Sequence, residues 1–375
     1  MSEWTEVKLS DISKVQTGPF GSQLKNEQYI TNGTPVVTVE HIRNFRIIDF
    51  NYPSVKKEDK IRLSKYLLIA GDILFTRVGS VDLSAFVKPH QAGWMFSSRM
   101  LRVRPKNEVN PRFLSYYFQL SKFREHLLSI AVGATMPSIN TEILESVPIL
   151  LPPLPEQRTI ASVLSSLDDK IDLLHCQNKT LEAMAETLFR QWFVEEVKED
   201  WEEGFLGDIV EFNYGKTLKE QERSSFGFPV YGSNGIIGYH STFLVEAPGI
   251  ITGRKGTLGM VHYSFENFYP IDTTFYITSK FKSDCLHYEY FLLKSMNLIE
   301  MNTDSAVPGL NKNLAHGIQI TIPPIHLVIT FNILVKPFFE KIKINKSQIR
   351  TLSALRDTLL PKLMSREVRV ELNND

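Results

Sequence analysis

The chain has 375 residues, too many for one ordinary core and enough for two domains that each bury an apolar centre. With 43% hydrophobic and 22% charged residues it reads as a globular protein; no run of about 18 apolar residues could span a bilayer and no N-terminal signal is visible, so the cytoplasm is expected. Net charge is zero, 42 basic against 42 acidic residues, so bulk basicity announces no nucleic-acid partner; the two cysteines, Cys176 and Cys285, lack the clustering a structural zinc site needs.

The charge is unevenly spread. Residues 1–151 hold 19 Lys/Arg against 14 Asp/Glu, residues 152–200 hold 5 against 10, residues 201–322 hold 9 against 13, and residues 323–375 hold 9 against 5.

In chain order, residues 1–151 alternate short apolar runs such as VVTV and DILFTRV with Gly/Asn/Ser turns, and add a helical stretch, PRFLSYYFQLSKFREHL. A mixed α/β domain is predicted there. At PPLPEQRTIASVLSSLDDKID, residues 152–172, a proline cluster closes the domain and sets the direction of a long helix spanning 152–200. Its apolar seam, Ile160, Leu164, Leu167, Ile171, Leu174, Asn178, Leu181, Ala185, Leu188 and Trp192, alternates steps of four and three, the spacing of a coiled coil. Residues 201–322 give a second mixed α/β domain. PPIHLVITFNILVKPFFEKIK then opens a second helix, residues 323–375, with the seam Phe331, Val335, Phe338, Ile342, Asn345, Ile349, Leu352, Arg356, Leu359 and Leu363.

These four segments are two copies of one plan. Pro152 and Pro153 align with Pro323 and Pro324, and the register then holds through Thr159 with Thr330, Lys170 with Lys341, Ile171 with Ile342, Gln177 with Gln348 and Leu188 with Leu359. Upstream at the same offset of 171, Pro137, Ile139 and Asn140 of MPSIN meet Pro308, Leu310 and Asn311 of VPGLN. WTEVKLSDI from Trp4 resembles WEEGFLGDI from Trp201, carrying Gly18 onto Gly215, but at an offset of 197, so the interiors differ by 26 residues. Weaker echoes pair TPVV with FPVY and GDILFTRVGS with PGIITGRKGT. Each seam has one asparagine, expected to occupy the same place in both copies and to fix register. An acidic and a basic helix favour pairing with each other, and antiparallel packing of such a repeat predicts a pseudo-two-fold molecule. A 33-residue seam is roughly 50 Å long at about 1.5 Å per residue.

This layout resembles the specificity subunit of type I restriction-modification systems. The motifs carrying the resemblance are LPPLPEQRTIASVLSSLDDKIDLL with its degenerate second copy, the paired Trp-x-Glu starts, TGPFGS at 17–22 and GATMPSIN at 133–140. The resemblance implies two target-recognition domains, each reading half of a split double-stranded DNA sequence, with the helical regions as spacers. It also implies a non-catalytic subunit that assembles with two adenine methyltransferase subunits and, in the full complex, with restriction subunits. S-adenosylmethionine, ATP and Mg would then belong to those partners, with no cofactor on this chain. The helix faces, including Glu156 and Gln157 of PLPEQ, are the expected partner surface. PPIHLV lacks the Glu-Gln pair, which departs from the pattern.

No catalytic constellation competes with this reading. The chain lacks an Asn/Asp-Pro-Pro-aromatic tetrapeptide and a glycine-rich turn for S-adenosylmethionine; YGKT fails as a phosphate loop because Val210 stands where glycine is required. GSNGIIG and GRKGTLG fail the dinucleotide spacing, and no nucleophilic or metal-dependent arrangement of His, Ser, Asp or Glu is apparent.

Phosphate contact needs Lys, Arg or exposed amides, and base reading needs Arg, Lys, Asn or Gln able to make paired hydrogen bonds. The loops offering both are Gly18, Gly21, Ser22, Gln23 and Lys25, then Arg77 and Ser80, then Ser98 and Arg99 in the first domain. In the second they are Tyr231, Ser233 and Asn234, then Arg254, Lys255 and Thr257, then Asn311 and Lys312. Because the domains differ in sequence, an asymmetric target is expected, and the acidic balance of the second predicts weak DNA binding without partners. The alternative is a protein-only helical scaffold that assembles partners without touching DNA.

Overall fold

The computed structural model describes residues 4–48, 50–133, 135–281, 285–296, 298 and 309–371. Ala134 of GATMPSIN and Val307 and Pro308 of VPGLN lie outside the described residues. The chain forms two compact units, residues 1–171 with 350–375, and residues 172–349.

In the first unit, strands β1 (Ser13–Thr17), β2 (Ile73–Thr76), β3 (Ser84–Phe86) and β4 (Met100–Pro105) form an antiparallel sheet in the order β1-β4-β2-β3. All four residues of β2 are buried. Successive side chains point to opposite faces: Ile73 and Phe75 join a core with Leu101, Val103, Leu114 and Phe118, while Leu74 joins Val37, Phe96 and Met100 on the other. Burial on both faces explains why this strand reads as a continuous apolar run rather than an alternation. Thr34–Val37 and Met95–Phe96 form a parallel pair in a smaller sheet, and Thr5–Lys8 pairs with Pro148–Leu151. The helical stretch of the sequence is two helices, α1 (Pro111–Tyr117) and a second at Ser121–Ile130, and α2 (Thr141–Glu145) starts at the Asn140 cap.

The second unit repeats this topology. Strands β5 (Val210–Tyr214), β6 (Gly249–Gly253), β7 (Val261–Ser264) and β8 (Thr274–Ser279) run β5-β8-β6-β7, again antiparallel. Phe228–Gly232 and Tyr269–Pro270 supply the parallel pair, and Glu202–Phe205 pairs with Gln319–Ile322. Helices α3 (His287–Ser295) and α4 (Lys312–His316) complete it. The excess length of the first unit falls largely between Gly18 and Asp72, where a hairpin, Ile42–Arg43 with Arg46–Ile47, and a helix, Lys57–Arg62, have no counterpart between Gly215 and Pro248.

The predicted long helices run Leu154–Arg190 and Ile325–Met364. Every seam residue from Ile160 to Trp192 and from Phe331 to Leu363 is buried or half-buried, as the heptad spacing requires. In the first unit Ile160, Ala161 and Leu164 cluster with Leu360, Leu363 and Met364, and one turn on Asp168 pairs with Arg356 at 2.8 Å. Within the second unit Asn178 meets Asn345, whereas Phe189, further along the first helix, meets Phe331, further back on the second, with ring centroids 6.0 Å apart. The helices therefore pair antiparallel in each unit.

The asparagine expectation needs correcting. The offset of 171 maps Asn178 onto Ile349 and Leu174 onto Asn345, so the two are one seam step out of equivalence. Antiparallel packing nevertheless brings them together: Asn345 is fully buried and its Nδ2 donates to Asn178 Oδ1 at 2.9 Å, leaving Asn345 Oδ1 without a partner.

Gln157 of PLPEQ is also not a surface residue. It is 1% exposed; its Oε1 accepts from the Asn110 amide at 2.8 Å, at the start of α1, and its Nε2 donates to the Pro152 carbonyl at 2.8 Å. It braces the domain against its helix, so the placement of Gln157 at a partner surface is overturned by burial. At the equivalent position the second copy has Val328, also buried. Asn332, one turn later, supplies the brace instead. Its Oδ1 accepts from the Tyr288 amide at 3.0 Å at the start of α3, and its Nδ2 donates to the Cys285 carbonyl at 3.2 Å.

Candidate nucleic-acid interface

In the first unit β1 ends at Gly18, whose amide donates to the Met100 carbonyl at 3.2 Å. A Cβ on Gly18 would stand 2.1 Å from the Ser97 carbonyl oxygen, so this glycine serves close packing of the protein on itself rather than close approach by a ligand. Two residues on, Phe20 is 45% exposed, and the guanidinium of Arg77 lies over its ring at 4.8 Å. Arg77 follows β2: its amide donates to the Arg99 carbonyl at 2.9 Å and its carbonyl accepts from the Ile139 amide at 2.9 Å. Its Nε reaches the Ile139 carbonyl at 3.3 Å. Gly79 then turns with φ +83° and open space around its Cα, and Ser80 is exposed.

The second unit rebuilds the backbone bonds of this cradle and again sets an arginine over an aromatic ring, but takes the ring and the side-chain acceptor from different positions. Gly215 donates to the Thr274 carbonyl at 3.2 Å, and a Cβ there would stand 2.2 Å from the Ile271 carbonyl oxygen. Tyr214 is 54% exposed and carries the Arg254 guanidinium at 4.9 Å. The Arg254 amide donates to the Thr273 carbonyl at 2.8 Å, its carbonyl accepts from the Leu310 amide at 2.9 Å, and its Nη1 donates to the Asp272 carbonyl at 2.9 Å. Gly256 has φ +83° in open space, and Thr257 is exposed. The isolated bridges match as well, Val78 with Ser138 and Lys255 with Gly309. Ser138 and Ile139 in one copy and Gly309 and Leu310 in the other, with TRVGS and GRKGT, are thus two sides of one cradle.

Other candidates fall around these cradles in different ways. Ser22, Lys25 and Arg99 are exposed on the first unit, as is Gly21 with φ +47°, and Ser98 is half-buried. Gln23 is committed internally, accepting from Tyr66 Oη at 2.7 Å. On the second unit Ser233 pins the cradle, its hydroxyl donating to the Lys255 carbonyl at 2.5 Å; Asn234 and Lys255 are exposed. Tyr231 is 7% exposed and packs with Ile251 and Phe268, so its side chain is core. Asn311 caps α4, its Oδ1 accepting from the Asn313 amide at 2.8 Å, and Lys312 is ion-paired with Glu211. Hydrogen bonding and charge from Lys312 hold the Glu211 carboxyl below the ordinary range.

Much of the first unit's positive charge is likewise consumed inside it. Arg102 is 2% exposed, donates to the Lys65 and Leu67 carbonyls, each at 3.2 Å, and has its ionisation opposed by burial. Arg104 holds Asp72 with two bonds of 2.7 Å, and Arg124 pairs with Asp82. Sequence reasoning missed Phe20 and Tyr214, the rings beneath the arginines. Their signal was present, one aromatic within two residues of each of the equivalent glycines Gly18 and Gly215.

A family profile described as Type I restriction modification DNA specificity domain matches residues 1–183 and 198–352, most of both units. The chain belongs to that family. The MjaIX type I restriction enzyme specificity subunit of Methanocaldococcus jannaschii is 27% identical, across 98% of this chain and 94% of its own length. The HindI specificity subunit of Haemophilus influenzae is 22% identical, across 98% of this chain and all of its own. The crystal structure of a type I restriction-modification S subunit from M. genitalium shares the fold, with a TM-score of 0.60 at 20% identity over 96% of each chain. A specificity subunit of two such domains is what the duplicated cradle and paired helices describe. Among the described residues, no helix is long and apolar enough to cross a membrane.

Proposed function

We propose that this type I specificity subunit reads a bipartite, asymmetric double-stranded DNA target, one half-site through each globular domain, with the helices as spacer. The observation that carries this reading is the duplicated cradle: two domains of one topology, each presenting an arginine on an exposed aromatic ring beside an open glycine turn. Domains alike in framework and different in sequence suit a target with two unlike halves.

The chain itself is non-catalytic in this reading. Methyl transfer to adenine falls to two methyltransferase subunits and cleavage to restriction subunits, so S-adenosylmethionine, ATP and Mg act in those partners, in the cytoplasm. Net neutrality and the many internally paired arginines leave little diffuse attraction for DNA, so methyltransferase partners closing on the duplex supply much of the backbone contact.

A map of methylated adenines in cells carrying this gene and its neighbouring methyltransferase, against cells lacking only this gene, tests the reading. A split motif that disappears with the gene is expected. An unchanged map would favour the protein-only scaffold.

A further inference from the structure

We infer that the Arg-x-Gly-Ser/Thr turns, Arg77 to Ser80 and Arg254 to Thr257, are sequence-blind phosphate clamps that set the register of each domain on the duplex, and are not readers of bases. This rests on the DNA-reading function proposed above.

The two copies keep the turn and its surroundings while the rest of each domain diverges. Domains that read different half-sites must differ wherever they touch base edges. These domains differ by 26 residues in their interiors, yet the cradle recurs with the same backbone bonds, the same φ of +83° at Gly79 and Gly256, and the arginine at the same place, over a ring supplied two residues after the glycine in one copy and one residue before it in the other. The component that two unlike half-sites share is the sugar-phosphate backbone.

A guanidinium held over a ring gains cation–π attraction while its N–H groups stay available, and two of them match two phosphate oxygens. Among the described residues, Arg77 spends only Nε on the protein and Arg254 only one Nη, so each retains donors. Ser80 and Thr257 place a hydroxyl donor three residues on, and both are exposed. The glycine between them has open space around it among the described residues, which suits a bulky phosphodiester. Hydroxyl and arginine donors are the common phosphate contacts of DNA-binding proteins. Specificity then falls to segments the copies do not share, such as the loops of Lys25 and Asn234, both exposed.

The test uses the full chain assembled with its methyltransferase, measuring affinity across salt concentrations for cognate and scrambled duplexes and the methylated motif in cells. Arg77→Ala and Arg254→Ala should each weaken cognate and scrambled binding by similar factors, lower the salt slope by about one, and leave the motif unchanged. Arg77→Lys, which keeps the charge, should retain most of the slope and reports whether loss in the alanine variant comes from charge rather than misfolding. A relaxed or altered base at one motif position in Arg77→Ala would overturn the clamp and make Arg77 a base reader; unchanged affinity and slope would overturn it outright. If the wild-type complex methylates a motif that does not depend on this chain, the DNA-reading function itself fails, and the clamp with it.

Discussion

Tyr116 of α1 donates its phenol hydrogen to Asp168 of the first long helix at 2.6 Å, and the same carboxylate accepts from Arg46 at 3.0 Å and from Arg356 at 2.8 Å. One half-buried acid thus ties a domain helix, a domain hairpin and the second long helix to the first. In the second unit Glu182 ties the domain helix α3 to the first long helix, accepting from Tyr290 at 2.7 Å and Lys294 at 3.0 Å. Burial opposes ionisation of Asp168, but the Tyr116 and Arg356 hydrogen bonds outweigh it and hold the carboxyl below its ordinary value. A carboxylate depressed in the folded state contributes stability above its unfolded pKa of about 3.9 and loses it as pH falls through the lower folded value. Tyr116→Phe should lower stability by about 1–3 kcal/mol at pH 7, and Asp168→Asn should flatten the loss of stability below about pH 4. Urea midpoints from pH 7 to pH 2 measure both.

A second pH window belongs to His287. It is 4% exposed, stacks on Tyr263 with centroids 5.6 Å apart, and among the described residues has no partner for Nδ1. Burial, with a smaller contribution from Lys336, pushes its pKa down from 6.5 to about 4. The folded state therefore refuses a proton that the unfolded chain accepts, so stability is full above pH 6.5 and declines as pH falls toward 4. The ceiling on this loss is about 3 kcal/mol. His287→Phe, which preserves the stacking, should decline less steeply than the parent between pH 6.5 and 4.5; the half-buried His262, also held below its ordinary value, keeps part of the slope.

Gln157 and Asn332 are different residues at different places in the repeat, yet both brace a domain helix against a long one. Gln157→Ala strands the Asn110 amide and Asn332→Ala the Tyr288 amide, and each should cost about 1–3 kcal/mol. Arg158→Ala, on the exposed face beside Gln157, should stay within about 0.5 kcal/mol. If Gln157→Ala were as mild as Arg158→Ala, the bracing role would be wrong.

The Asn178–Asn345 pair leaves one buried carbonyl oxygen unmatched. Replacing both with leucine should stabilise the chain, by on the order of 1–2 kcal/mol, because an apolar seam gains burial and no polar group is left stranded. A fall in thermal midpoint for the double variant would show that the hydrogen bond outweighs that gain.

The duplication, the helix starts and both heptad seams were legible because proline clusters and a 3.5-residue period survive drift. That the two helices pair with each other followed from charge, −5 against +4, and Asp168 with Arg356 joins them in the first unit; the antiparallel direction, expected from the repeat, is seen in Asn178 against Asn345 and Phe189 against Phe331. Roles set by tertiary packing were less legible. Gly18 looks like a ligand-facing glycine until the carbonyl of Ser97 is seen against its Cα, and Ile271 closes off its repeat partner Gly215 in the same way. Tyr231, Asn311 and Lys312 carry the right chemistry for DNA, but a core, a helix cap and Glu211 already occupy them. Phe20 and Tyr214 were overlooked because an isolated aromatic signals nothing until an arginine distant in sequence is laid upon it.

The central claim, one half-site for each domain, is tested most directly by exchange. Residues 1–151 are replaced with the equivalent segment of a family member of different specificity, and methylated adenines are mapped in cells holding the hybrid and its methyltransferase. The account predicts a motif with one half replaced and the other kept. A motif identical to the parent's, from a hybrid that still supports methylation, would contradict it.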